Sequence, residues 1–220
     1  MNSSSTIHQL RETLIEWGRD NLRVYPWRET REPYHILLAE VLLHRTRADQ
    51  VVPIYRRVLE RYPTVHALAA AQLEDLANLL RSLGLHWRVP LLIEMAREVV
   101  SRFGGDIPAS AEMLRTLPGI GLYIAAATSC FAFDRPEPIL DTNTVRVLGR
   151  LFRLDVQESS RRSRKFRTIM AELLDRDRPR LFNLALLDLA ALICTPATPA
   201  CHRCPLQSIC LYGSQHATAK

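Results

Sequence analysis

Lysine is almost missing from this chain. Of 220 residues, 29 are basic, yet only Lys165 and Lys220 are lysine and the other 27 are arginine. A guanidinium stays protonated and cannot serve as a Schiff-base amine, so imine chemistry on a core lysine is nearly excluded. Long apolar runs are missing too, and nothing approaches the ~20 residues of a membrane helix. The polar start MNSSSTIHQLRETL has no signal-peptide core, so we expect a cytoplasmic location. Low-complexity tracts, clean repeats and the alternating pattern of half-buried strands are also scarce. Hydrophobic residues nevertheless make up 47% of the chain, which excludes disorder. This length buries a good core, as one domain or two small ones.

What is present is helical. Apolar residues recur at helical spacing, so the chain reads as all-α. Helices are expected at about 5–20, 34–45, 47–61, 64–69, 73–82, 87–103, 110–116, 122–133, 142–152, 160–175 and 179–194. Short turns marked by Gly84, Gly104, Gly105, Pro108 and Pro118 separate them. The net charge of +6 and a pI near 9.4 point to a polyanionic partner.

The most informative stretch is LPGIGLY at 117–123. Pro118 stops one helix, Gly119 and Gly121 permit a tight turn, and the next helix starts at once. Its free N–H groups and positive dipole end suit a phosphate. An ordinary corner between two helices is the bland alternative, and the apolar residues flanking the motif weigh against it. Asp141 follows Tyr123 by eighteen residues, at the mouth of the next helix. Alone it is a plain N-cap, but a helix N-terminus also keeps a carboxylate ionised. A phosphate-gripping turn near a placed carboxylate fits an enzyme that holds a nucleic-acid backbone and stabilises positive charge on a sugar. That partner makes the expected cytoplasmic location nucleoid-associated.

The last segment breaks the helical pattern and holds four of five cysteines, as Cys194-x6-Cys201-x2-Cys204-x5-Cys210. Such a quartet in a basic chain suggests a metal centre over disulfides. Zinc usually takes two C-x2-C pairs, whereas an iron–sulfur cluster tolerates uneven spacing. Spacing puts the cluster modestly ahead and leaves zinc open. Cys130 reads as an inert core residue. In HILLAEVLLHRTRAD, Glu40 interrupts an apolar helix and is either solvated or buried with a raised pKa. His44, Arg45 and Arg47 at that helix end either reach DNA or simply terminate the helix. RSLGLHWRVPLLIEM at 81–95 loosely echoes the later hairpin.

Together these motifs resemble the helix-hairpin-helix DNA glycosylase superfamily, in the endonuclease III and adenine glycosylase group. The likeness runs from YPWR at 25–28 to Cys210 and includes LPGIG, Asp141, FNLALLDLAALIC at 182–194 and the cysteine spacing. It implies a [4Fe-4S] cluster on Cys194, Cys201, Cys204 and Cys210. It also implies a six-helix barrel over residues 23–133, with 1–22 and 134–220 forming a discontinuous cluster domain and the active cleft lying between them. Endonuclease III enzymes carry a strand-cleaving lysine where this chain has Tyr123, so a monofunctional glycosylase with weak or absent lyase activity is expected.

Adenine glycosylases normally show two glutamines where His44 and Arg45 stand, and add a C-terminal domain. This chain ends ten residues after its last cysteine. The closer resemblance is to thymine-DNA mismatch glycosylases of archaeal type, acting on thymine or uracil opposite guanine. Excision of adenine opposite guanine or 8-oxoguanine is the alternative, and a non-catalytic DNA-binding protein the alternative of another class. The resemblance implies that Leu117, Pro118, Gly119, Ile120 and Gly121 hold double-stranded DNA while His44 or Arg45 wedges into the space of an extruded base. Asp141, Tyr123 and Glu40 would be catalytic, with Ala48 and Leu184 walling the base pocket. A monomer is the family expectation. One departure is TPATPA at 195–200, which lacks the basic residue that relatives place there to touch DNA.

Overall fold

The structure is a computed structural model, and it describes residues 4–44 and 46–216. Among these residues every regular element is helical: α1 (Ser4–Asn21), α2 (Pro33–Leu42), α3 (Ala48–Arg61), α4 (Val65–Ala69), α5 (Leu73–Leu80), α6 (Val89–Phe103), α7 (Ala111–Leu114), α8 (Leu122–Phe133), α9 (Thr142–Phe152), α10 (Arg164–Leu173), α11 (Pro179–Leu192) and α12 (Gly213–His216). The all-α expectation holds. Among them no helix is long and apolar enough to cross a membrane.

Local chemistry explains where these helices start. Thr64 and Ser110 accept hydrogen bonds from the third residue beyond them, and Asp141 caps α9 in the same way. Prolines open α2, α6 and α11, where the missing N–H costs nothing. Several expected boundaries shift. The helix expected to Arg45 stops at Leu42, because Leu43 and His44 form a turn closed by Thr46 N–H on the Leu43 carbonyl. The helix expected from 87 begins as a 3-10 turn at His86–Arg88, and α6 proper starts at Val89. The helix expected at 160–175 is a 3-10 turn at Glu158–Arg162 followed, after extended Ser163, by α10.

The chain divides into two compact units, Val24–Phe133 and the flanking described residues up to Arg23 and from Asp134. In the first, α2 and α8 are buried along nearly their whole lengths and pack on each other. That burial is why both helices read as apolar on every face. Amphipathic helices α3, α5 and α6 close around them with Val51, Val58, Leu76, Leu80, Val89 and Ala96. In the flanking unit α1 lies against α11. Gly18 permits this approach, since a Cβ there would sit 2.6 Å from the Ala185 Cβ. Asp188 of α11 is fully buried and takes the Arg23 backbone N–H and Nε, each at 2.7 Å. That pair ties the end of the N-terminal segment to α11.

Candidate functional site

The hairpin is a tight turn on a buried base. The Ile120 N–H donates to the Leu117 carbonyl at 3.2 Å, with Pro118 second and Gly119 third at φ +73°. This is the type II pattern, which demands a residue tolerant of positive φ at its third place. A Cβ on Gly119 would also press on the Leu91 Cβ at 3.2 Å. Gly121 differs from the sequence expectation. Its φ is not positive, and a Cβ there would meet nothing within 4 Å. It instead precedes α8, accepting the Ala125 N–H at 3.0 Å, and has no side chain to cap the first-turn N–H groups. Leu117 and Ile120 are buried, while Gly119, Gly121 and Leu122 are exposed. An anion at this turn therefore meets backbone N–H groups and a positive dipole end.

Beside the hairpin, Val41 of α2 lines one small cavity together with Pro118, Gly119, Ile120, Leu91 and Arg88. Glu40 is 4% exposed, so it is buried and not solvated. Tyr123, in the first turn of α8, is half-buried against the core of the same unit. Ala48, which opens α3, is half-buried against that core as well. The His44 ring meets Trp87 edge-on at 6.4 Å. Arg45 lies outside the described residues.

Trp87 is a residue that the sequence reading passed over. It is 53% exposed, and the Arg88 guanidinium lies 5.0 Å over its ring. The available signal was an aromatic flanked by His86 and Arg88 in the glycine turn that echoes the hairpin.

Asp141 belongs to the flanking unit. It caps α9 reciprocally with Thr144: Oδ1 accepts the Thr144 N–H at 2.7 Å, and the Asp141 N–H donates to Thr144 Oγ1 at 2.9 Å. Oδ2 accepts from Asn143 Nδ2 at 2.7 Å. Asn143 Oδ1 in turn accepts from Arg146, whose remaining donors hold the Cys194 and Ala190 carbonyls, all at 2.9 Å. Burial pulls the Arg146 guanidinium below its ordinary pKa, and the negative charge of Asp141 opposes that pull. Both carboxylate oxygens thus have fixed donors, which orients the group. Asn143 and Arg146 were also missed from sequence, though both sit in DTNTVR beside the chosen aspartate. Leu184 of α11 is buried in the same unit.

Cys194, Cys201, Cys204 and Cys210 are half-buried free thiols. Arg150 donates to Cys194 Sγ at 3.3 Å and to the Thr195 and Pro196 carbonyls, which pins TPATPA to α9. The Gly213 N–H donates to Cys210 Sγ at 3.3 Å. Burial pushes the Cys204 thiol up to about 11 and raises Cys201 as well, with the neighbouring cysteines adding to both. Among the described residues no three His, Cys, Asp or Glu side chains are set to hold a metal ion. Cys130 is fully buried in α8, in keeping with the expected core position.

The chain thus combines an exposed turn at the N-terminus of α8 with a carboxylate held on both oxygens at the N-terminus of α9, in an all-helical, arginine-rich fold. Residues 38–172 match the HhH-GPD superfamily of base excision DNA repair proteins, and the chain belongs to that family. It is 42% identical to a thymine-DNA glycosylase of Aeropyrum pernix, covering 94% of this chain and 95% of that protein. It is 37% identical to an adenine DNA glycosylase of Rattus norvegicus, covering 91% of this chain but 41% of that protein. Among solved structures, that of a thermostable thymine-DNA glycosylase superposes with a TM-score of 0.88 at 31% identity, covering 96% of this chain and 98% of the other.

Proposed function

We propose that this chain is a monofunctional DNA glycosylase that removes thymine or uracil mispaired with guanine. The observation that carries this reading is Asp141, a carboxylate at a helix N-terminus with donors on both oxygens. The hairpin N–H groups from Gly121 onward hold a phosphate of the duplex. The mispaired base leaves the stack, and His44 or Arg45 fills its place. Glu40 and Tyr123 then meet the base and sugar, with Ala48 of the same unit walling the base. Positive charge grows at the anomeric carbon as the glycosidic bond breaks, and Asp141 stabilises it and orients the attacking water. Tyr123 has no amine, so no imine forms and the strand stays intact. The protein acts as a monomer.

We further propose that Cys194, Cys201, Cys204 and Cys210 hold a [4Fe-4S] cluster. Supporting the fit are four free thiols on one short segment, with N–H donors already aimed at two of the sulfurs. When bound, the cluster would supply a cross-link tying Cys194, two residues past α11, to the loop that carries Cys201, Cys204 and Cys210. Iron and sulfide content of purified protein, with loss in Cys204→Ser, tests that assignment.

The adenine reading draws support from the 37% identity to the rat enzyme. An excess of enzyme on labelled duplexes carrying G:T, G:U, A:G or A:8-oxoguanine, with and without alkali, separates the readings. We expect product from G:T and G:U, and only after alkali. Product from the adenine pairs alone establishes the alternative. Cleavage without alkali refutes the monofunctional assignment, and no product on any duplex leaves a DNA-binding protein.

A further inference from the structure

The segment RRSRKFR at 161–167 carries five cations in seven residues, and neither the hairpin nor the Asp141 network uses any of them. Without these five the chain's net charge would fall from +6 to +1, so one short stretch carries most of its excess. The segment spans the end of the 3-10 turn at Glu158–Arg162 and the first turn of α10. Arg162, Arg164, Lys165 and Arg167 are exposed and Arg161 is half-buried. Among the described residues, none of the five makes an ion pair or a side-chain hydrogen bond.

Other arginines of the same unit are committed to structure. Arg23 holds Asp188, Arg146 and Arg150 hold backbone carbonyls, and Arg178 holds Glu12 and Asp175. The 161–167 cluster instead works against the fold. Like charges repel one another, and the first turn of α10 is the positive end of its dipole, where acidic residues belong and none is present. Burial of Phe166, Met170 and Leu173 holds the helix in place regardless and fixes which side the cations face. Arg164 and Arg167, three positions apart, share one face.

We propose that this cluster is a second DNA-binding surface, which grips the phosphate backbone of the duplex apart from the hairpin. The proposal rests on the reading of the chain as a DNA glycosylase. Duplex DNA presents one negative charge per ~1.7 Å of axis, a density that a cluster of exposed cations matches. Arginine forks suit phosphate in particular. An acidic protein partner is the weaker fit, because protein interfaces centre on apolar or aromatic anchors. The one aromatic in the segment, Phe166, is 3% exposed and turned into the core.

The test is a salt series of binding to an undamaged duplex, for the full chain and for the variant Arg162→Gln/Arg164→Gln/Lys165→Gln/Arg167→Gln. The slope of log affinity against log salt is expected to shrink by about 2–4, near one for each phosphate that no longer has a cation beside it. Affinity at about 0.1 M salt should fall at least tenfold. The single-turnover excision rate at saturating enzyme stays at the wild-type value, since none of the four residues touches the reacting base. The matching variant with lysine at the three arginine positions keeps the wild-type slope. The Arg162→Gln/Arg167→Gln double variant, less disturbing to the fold, should show about half the slope change.

An unchanged slope in well-folded variants overturns the proposal. So does binding of polyglutamate that the variant loses while its DNA slope is intact, because the surface would then dock a protein. Undamaged DNA keeps this test separate from the glycosylase reading. Should wild type excise nothing while the slope still falls, the surface stands and the enzyme assignment is what fails.

Discussion

Replacing Asp141 by Asn separates catalysis from folding, because the cap seen in the structure and the proposed stabilisation of a cation draw on different properties of the carboxylate. Its cap is nearly preserved: an Asn oxygen can still accept the Thr144 N–H now bonded at 2.7 Å, and the return bond from the Asp141 N–H is untouched. What disappears is the Asn143 bond to Oδ2, where two amide donors would now face each other. That costs about 1 kcal/mol, or a melting-temperature drop of roughly 2–4 °C for a chain of this size. The missing charge matters far more to the reaction. A carboxylate about 4 Å from a developing cation contributes about 4 kcal/mol at an effective dielectric near 20. Losing it slows excision by roughly three powers of ten. Single-turnover excision on a G:T duplex, thermal melting and anisotropy on undamaged DNA together read this contrast. We expect near-normal melting and binding with the rate nearly abolished. An excision rate within about tenfold of wild type would show that Asp141 is only a cap.

Tyr123→Lys should introduce strand nicking without alkali, visible on a denaturing gel. No nicking from a folded variant would mean that this position does not face the sugar. Arg23→Ala removes the Arg23 guanidinium from the fully buried Asp188 carboxylate. It should cost about 3 kcal/mol and lower the melting temperature by roughly 6–12 °C, with the Arg23→Ala/Asp188→Ala double variant recovering part of it. Burial opposes the charge on Asp175, but hydrogen bonds from Arg178 outweigh it and hold its carboxyl below the ordinary value; the Arg178 hydrogen bond lowers Glu12 too. Depressed carboxyl pKa values add stability above the unfolded values, about 3.9 and 4.3, and lose it as pH falls through the lower folded ones. Arg178→Ala should therefore melt lower than wild type at pH 6, with the gap closing in acid. A gap independent of pH would refute the linkage.

Periodicity, charge and the glycine–proline turns determined the helical class and most helix positions, since burial in α2, α8 and α11 is written directly into apolar side chains. Motif spacing likewise marked LPGIG, Asp141 and the cysteine quartet, because each demands particular residue types at adjacent or fixed intervals. Other properties depended on where side chains meet across elements. The sequence left Glu40 either solvated or buried, and only the packing of α2 on α8 put it at 4% exposure. It assigned Gly121 a conformational role that its backbone does not have. The run from Asp141 through Asn143 and Arg146 to Cys194 was invisible as well, because residues 146 and 194 meet only when α9 packs on α11. Trp87 and the 161–167 cations became informative for the same reason. Exposure and the lack of a partner are properties of the folded surface, and composition records neither.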